Sequence, residues 1–496
     1  MITSNESLEA EFSMERARGG VIEEQPFRLL VIGDWAGGGK RREISQRRPI
    51  EIDRDNFDQV MARIAPEITV EIDGRSLALK FSELDDLHPD RIFQRVPLFS
   101  ELRDLRRRLR NDDSFYEAAR EVRSALDAGD ASVEQTTPSP TTDIAPDDLL
   151  GQILSRPSGG AVPPSARKSG ELDILVSELV RPFLVKVDEN EQQQMLDAVD
   201  AASGDLMRKI IHDHGFRELE AAWRGLFFLA RRAETGVDLK LFLLDLTKDE
   251  LAADLKGASD LSETLAHEIL METNDEPWAA IAGNYGFLPN VDDVAALVRI
   301  SKLGHDANAP FISHMRPEIL GIHTLEGNTD PRNWNMSETT DAGKLWLALR
   351  SMPEARWLGM TIPRFLGRLP YGAESDPLEN FGFEEFDAAP EHDKFVWINS
   401  CFAAALLLAQ SFSVNGWELG QAFIQDIEKI PVHTYDAGGE TVYTPCAEVQ
   451  LTHEGADRLM TYGLMPLVSY KNTDHVRLER FQSITDPVSA LRGRWK

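Results

Sequence analysis

Apolar and polar positions follow several different periods along the chain, and together they predict a mixture of strands and helices. The apolar run Leu29-Leu30-Val31-Ile32, ending at Gly33-Asp34, predicts a strand around Phe27–Ile32. Residues 68–72 (ITVEI) and 76–81 (SLALKF) alternate apolar and polar groups, and Asp73-Gly74 between them tolerates positive φ at both positions, which predicts a hairpin. Helical spacing governs DRDNFDQVMARI, with Asp53 or Asp55 as N-cap, and also LFSELRDLRRRLR, SFYEAAREVRSAL and FRELEAAWRGLFFLARRA. VDLKLFLLDL then predicts a strand, and the order helix, strand, helix recurs. The fold class expected is α/β with mixed α+β character.

This patterning stops between residues 127 and 170. DAGDASVEQTTPSPTTDIAPDD and SRPSGGAVPPSARKSG are rich in Pro, Ser, Thr, Gly and Ala and poor in large apolar groups. Such a segment cannot offset its ordering entropy by burial, so it predicts a flexible linker, with room for a short helical piece at Leu149–Leu154. The expected organisation is a module over 1–126, the linker over 127–170, and a second module over 171–496. No internal repeat or heptad seam is present.

Composition narrows the function. The chain has 496 residues, of which 42% are hydrophobic, enough for several buried cores. Lys and Arg number 53 against 83 Asp and Glu, a net charge of −30, which disfavours nucleic acid and anionic lipid as partners. Cys401 and Cys446 are the two cysteines, too few for a disulfide framework or a four-cysteine zinc site. The N-terminus lacks the basic-then-apolar order of a secretory signal. CFAAALLLAQSF, residues 401–412, is too short to cross a bilayer and predicts a buried helix. A cytoplasmic location without direct membrane insertion is expected.

Candidate chemistry is sparse. LLVIGDWAGGGK, residues 29–40, has the look of a strand feeding a phosphate cradle. A Walker-type loop needs four residues between its glycine and Gly-Lys-Ser/Thr, however, whereas Gly33 to Gly39 encloses five and Arg41 stands where the hydroxyl belongs. A plain glycine turn between strands is expected instead. His212 and His214, two apart, point to different faces if helical, and His305, His314 and His323 are scattered through expected loops without carboxylates at ligand spacing. No catalytic group, metal or cofactor is expected. Arg364 and Arg368 in IPRFLGRLPYG share one face if that stretch is helical, available to a partner carboxylate or to Glu384 and Glu385 nearby. The basic runs KRREISQRR and RDLRRRLR are solvated faces or docking faces for the acidic surface of another copy.

Long stretches then resemble a known family in two places. GGVIEEQPFRLLVIGDW, RRPIEIDRDNFDQVM and LKFSELDDLHPDRIFQRVPLFSELRDLRRRL resemble the small sheath subunit of bacterial type VI secretion systems, TssB or VipA. HDHGFRELEAAWRGLFFLARRA, APFISHMRPEILGI, residues 360–372, WINSCFAAALLLAQSFSVNGW and LMPLVSYKNTD are similar to the large sheath subunit, TssC or VipB. The chain thus resembles a fusion of the two.

The resemblance implies a non-enzymatic building block of a contractile tube whose protomers interlock by exchanging β-strands. It implies as partners other copies or other sheath subunits, the inner-tube protein Hcp, baseplate components and a ClpV-type ATPase. The arm carrying Val21 and Ile22 matches the family's N-terminal strand region, and an apolar pair beside a strand suits addition to a neighbouring sheet edge. Residues 171–183 occupy the place of the helix that the ATPase recognises, with Leu172, Leu175, Val176, Leu179 and Phe183 on one stripe; a helix packed against its own core accounts for the stripe equally well. Family members continue beyond the LVSYKNTD region into a portion facing the tube, and about a hundred such residues have no counterpart here. That departure sets a second expectation beside the building block, namely a sheath adaptor, cap or assembly regulator that does not polymerise around the inner tube.

Overall fold

The structure, a computed structural model, describes residues 25–72, 74–130, 189–271, 276–335, 340–386, 389–436 and 438–496. The N-terminal segment supplies strands β1 (Phe27–Gly33) and β2 (Ile50–Ile52), helix α1 (Phe57–Ile64), strands β3 (Glu67–Ile72) and β4 (Arg75–Lys80), and helices α2 (Pro89–Arg95), α3 (Ser100–Leu109) and α4 (Phe115–Asp130). The C-terminal segment begins with α5 (Glu189–Ile211), α6 (His214–Arg232), β5 (Leu239–Asp245), α7 (Lys248–Gly257), α8 (Leu265–Met271), β6 (Ala280–Phe287), α9 (Val291–Ala307), β7 (Phe311–Met315) and α10 (Asp341–Arg350). It continues through β8 (Leu358–Ile362), β9 (Phe365–Leu366), β10 (Trp397–Ile398), α11 (Cys401–Asn415), β11 (Asp426–Ile427), β12 (His433–Asp436), β13 (Thr441–Thr444), α12 (His453–Thr461), β14 (Leu464–Ser469) and β15 (Val476–Leu478).

Among the described residues nine strands form one sheet in the order β11-β15-β14-β8-β7-β6-β1-β5-β2. Its centre is parallel, from β14 through β5, and β15, β11 and β2 add antiparallel edges. The first strand of the chain is therefore an interior strand of the sheet built by the second segment. It runs beside β5 over its whole length, Phe27 opposite Leu239 through Gly33 opposite Asp245, and beside β6 on the other side. The two segments share one sheet.

Burial on both faces explains why β1 is almost wholly apolar. Phe27, Leu29 and Val31 enter a core with α6 and α11, while Leu30 and Ile32 enter a second core with α7, α8 and α9. Helix α11 is buried from Cys401 through Ala409 and has no polar stripe, as expected of a helix enclosed on all sides. Close approach of α6 to α11 depends on Gly225, where a Cβ would come within 2.6 Å of the Phe402 ring.

The hairpin appears as expected, β3 pairing with β4 and Gly74 at φ +77°. Three local expectations are corrected. Asn56, not Asp53 or Asp55, precedes the first turn of α1; Asp53 Oδ1 instead accepts from the amides of Asp55 and Asn56, closing a turn just upstream. His305 and His314 lie in α9 and β7 rather than in loops. Residues 364–368 are extended through β9, with Phe365 and Leu366 paired to Ile398 and Trp397 of β10 and Pro370 disfavouring helical geometry at Leu369.

Candidate functional site

The glycine-rich bend after β1 spends its backbone donors inside the molecule. Trp35 N and Ala36 N donate to Asp245 Oδ1 at 2.9 and 3.3 Å, Gly37 N to Asp34 Oδ1 at 2.8 Å, Gly38 N to Glu67 O at 2.6 Å, and Gly39 N to Ala36 O at 2.8 Å. Five consecutive amides, those of Trp35 through Gly39, are thereby committed inside the molecule. Gly37 is needed at φ +56°, with Glu67 O only 2.8 Å from where a Cβ would sit. The Trp35 indole donates to Leu244 O, while its own carbonyl accepts from Trp223 Nε1 at 3.0 Å. The bend locks the two segments together across the carboxyl ends of β1 and β5.

Several arginines of the basic runs pair within the chain, while Lys40, Arg42 and Arg107 stay exposed. Arg41 lies between Asp34 and Asp245, Arg47 makes two 2.8 Å bonds to Glu250, and Arg48 reaches Glu268 at 3.1 Å. Hydrogen bonds from Arg47 hold the Glu250 carboxyl at about 2 against the opposing effect of burial. On α3, Arg106 grips Asp200 of α5 through contacts of 2.5 and 3.0 Å, and Asp200 also accepts from Gly382 N at 3.0 Å. Asp90 on α2 accepts three bonds from the backbone and side chain of Glu379 and Asn380, between 2.7 and 3.1 Å. Phe93 and Phe381 stack with ring centroids 4.5 Å apart beneath them. The loop around 379–385 is thus clipped between α2, α3 and α5.

Behind the clip lies a buried charge network. Arg368, 8% exposed, donates to Glu220 Oε1 at 2.8 Å and to Glu385 Oε2 and Oε1 at 2.6 and 3.1 Å. Arg224 donates to Glu220 at 2.7 Å and to the Tyr371 hydroxyl at 3.0 Å, and Tyr371 N donates to Glu385 at 2.8 Å. Burial pushes the Glu385 carboxyl up, but Arg368 overrides it and holds the group down at about 2. Glu220 behaves alike: burial raises it, and Arg368 with Arg224 brings it below its ordinary value. His88 packs edge-on against Tyr371 at 4.9 Å, so the network abuts the N-terminal segment. Each buried carboxylate of this network meets an arginine, so removal of one partner would leave a buried charge uncompensated.

Of the residues singled out from sequence, Arg368 pairs with Glu385 as one alternative held, and Glu220 is added. Glu384 does not join them; its carboxylate accepts from Ala373 N at 2.9 Å. Arg364, half-buried, forms a separate pair with Glu448 at 2.6 and 3.1 Å. There burial raises the Glu448 carboxyl and Arg364 outweighs it, leaving about 2. Val21, Ile22, Leu172, Leu175 and Leu179 lie outside the described residues, as do residues 131–170 of the expected linker with the piece at Leu149–Leu154; its first residues, 127–130, instead close α4. His314 is buried in β7 and its pKa falls to about 3, chiefly through burial. Cys401 is enclosed and burial drives its thiol far up, away from reactivity. Among the described residues no cluster of His, Cys, Asp or Glu suits a metal ion, and no helix is long and apolar enough to cross a membrane. Sequence reasoning missed Glu220, Asp200 and Asp90; only Glu220 carried a signal, the spacing of four to Arg224 on one helix.

The fold is a mixed nine-stranded sheet covered on both faces, with the N-terminal strand threaded into its interior and ion pairs joining the two segments. Residues 193–485 match the family model described as EvpB/VC_A0108, tail sheath N-terminal domain, and residues 8–129 match that described as Type VI secretion system, VipA, VC_A0107 or Hcp2. The chain belongs to the type VI tail sheath family, and joins a TssB-like N-terminal segment to a TssC-like C-terminal one. It is 33% identical over 307 residues to the type VI secretion system sheath protein TssC1 of Pseudomonas aeruginosa (strain PAO1). That match covers 60% of this chain and 61% of the relative's length.

Proposed function

We propose that the chain is a non-catalytic structural component of a type VI-like contractile sheath, a small and a large subunit folded into one protomer. The observation that carries this reading is the position of β1, which makes the TssB-like segment an interior part of the TssC-like sheet. Assembly proceeds through other copies or other sheath subunits. The arm with Val21 and Ile22 supplies backbone hydrogen bonds to a neighbouring sheet edge, and the stripe of Leu172, Leu175 and Leu179 serves a ClpV-type ATPase. Hcp and baseplate components are the further partners expected in the cytoplasm. Arg364 and Arg368 serve assembly indirectly, by keeping the seam rigid while load passes through it. Energy is stored in the arrangement of subunits, with no bound nucleotide required.

Electron microscopy of the purified chain, alone and mixed with other sheath components, tests the proposal. Tubes, rings or stoichiometric incorporation are expected. A chain that stays monomeric and does not associate with sheath components would refute it, and incorporation that saturates at a few copies per sheath would replace the building block with a cap.

A further inference from the structure

A groove of about 410 Å³ opens between the segment around Gly420–Gln425 and the segment around Arg480–Ala490. Phe423 and Phe481 form its apolar floor, their ring centroids 4.5 Å apart, and Trp495 stands against Phe423 at 5.9 Å. The segment ending at Lys496 backs the groove wall at Gly420: Gly420 N donates to Lys496 O at 3.1 Å, and Lys496 N donates to Trp417 O at 2.9 Å. Gln25 is fastened to the same wall. Trp417 Nε1 donates to Gln25 O at 3.0 Å, Arg494 bonds the Gln25 side chain, and the Arg494 guanidinium lies 5.2 Å over the Trp417 ring. Residues 1–24 therefore leave the described fold beside the groove.

Their sequence fits it. Val21-Ile22-Glu23-Glu24 places two branched apolar groups next to two carboxylates. Arg480 is exposed at the groove's rim and has no carboxylate partner among the described residues. From Gln25 back to Val21, four extended residues cover about 13–14 Å, and Trp417, which holds Gln25, lies six residues before Phe423. A larger groove beside β2, about 760 Å³, is a poorer host: Glu51, Asp53, Asp55 and Glu234 there balance Arg54, Arg231, Arg232 and Lys240, and it has no aromatic lining.

We propose that residues 20–24 dock into this groove of their own chain, with Val21 on the Phe423–Phe481 pair and Glu23, on the same face of the extended arm, toward Arg480. An arm held by its own protomer is withheld from others, so a free chain carries an internal competitor for exchange and an assembling chain must release it. This goes beyond the assembly reading, because occupancy of the groove is a property of the isolated chain.

The full chain carrying Val21→Cys and Ala490→Cys tests it; Cys401 and Cys446 are buried and do not interfere. Mild oxidation of a mixture of isotopically light and heavy protein should give a disulfide within single chains, at a rate independent of protein concentration. Ala490→Cys should also react several-fold faster with a maleimide once residues 2–24 are deleted, and Arg480→Glu should slow the disulfide. A disulfide joining light to heavy chains would sink self-docking while leaving exchange between copies intact. Cross-linking no faster than in a Val21→Cys, Val291→Cys control, or maleimide labelling unchanged by the deletion, would also overturn it.

Discussion

Arg368 shows how a side chain becomes structural by being fully matched. Its donors meet two carboxylates that burial alone would neutralise, so each member of the network needs the others to stay charged. Arg368→Met should lower stability by about 3–5 kcal/mol, because Glu385 would be left buried without its arginine and Glu220 would keep Arg224 alone; urea unfolding followed by tryptophan fluorescence measures this. Acid should act through the same groups. The Glu385 and Glu448 carboxyls sit at about 2 in the folded chain, below their value near 4.3 when unfolded. Their contribution is thus complete above about pH 4.3 and disappears as pH falls toward 2. Melting temperatures taken from pH 7 to pH 2.5 should drop steeply below about pH 4, and the drop should be shallower in Arg368→Met. Sequence made half of this visible. Glu385 lies near Arg368 along the chain, but Glu220 lies 148 residues away and its approach is a property of packing.

Elements with strong local patterns were the most legible. The β3–β4 hairpin followed from strict alternation around a two-residue turn, and α11 from an apolar run of helical length. Arg364 and Arg368 would share a face only in a helix; the segment is extended instead because Phe365 and Leu366 pair with β10, a contact that lies about 30 residues away in the chain and leaves no local signal. Packing of α6 on α11 sets a narrow tolerance at Gly225. Gly225→Leu should push the helices apart and destabilise the chain by about 1–3 kcal/mol, read as a lower melting temperature by calorimetry. The bend after β1 makes the opposite prediction about chemistry. With its amides committed, neither the unmodified chain nor Lys40→Ala should bind ATP in a fluorescent-nucleotide titration; binding lost on substitution of Lys40 would contradict the geometry.

At the scale of the molecule, composition announced two segments but not how they combine. Parallel pairing is non-local, and nothing in the β1 run specifies β5 and β6 as its neighbours; it specifies only a place with apolar cover on both sides. Joined as they are, the segments should not depend on the peptide that connects them. Proteolysis confined to residues 131–188 should leave fragments that co-elute in gel filtration, since Arg106 to Asp200, Arg47 to Glu250 and the β1 ladder hold without it. Residues 189–496 expressed alone should aggregate, because β6 would expose an unpaired edge and β5 would lose both of its neighbours, β1 and β2.

Threading β1 between β5 and β6 also imposes an order on biosynthesis. The strand leaves the ribosome early, and its first partner follows about 210 residues later. At roughly 5–20 residues per second, a nascent chain holds this greasy ribbon without a mate for about 10–40 s. A holdase that shelters emerging polypeptides should therefore govern the yield of native protein more strongly than the final stability does.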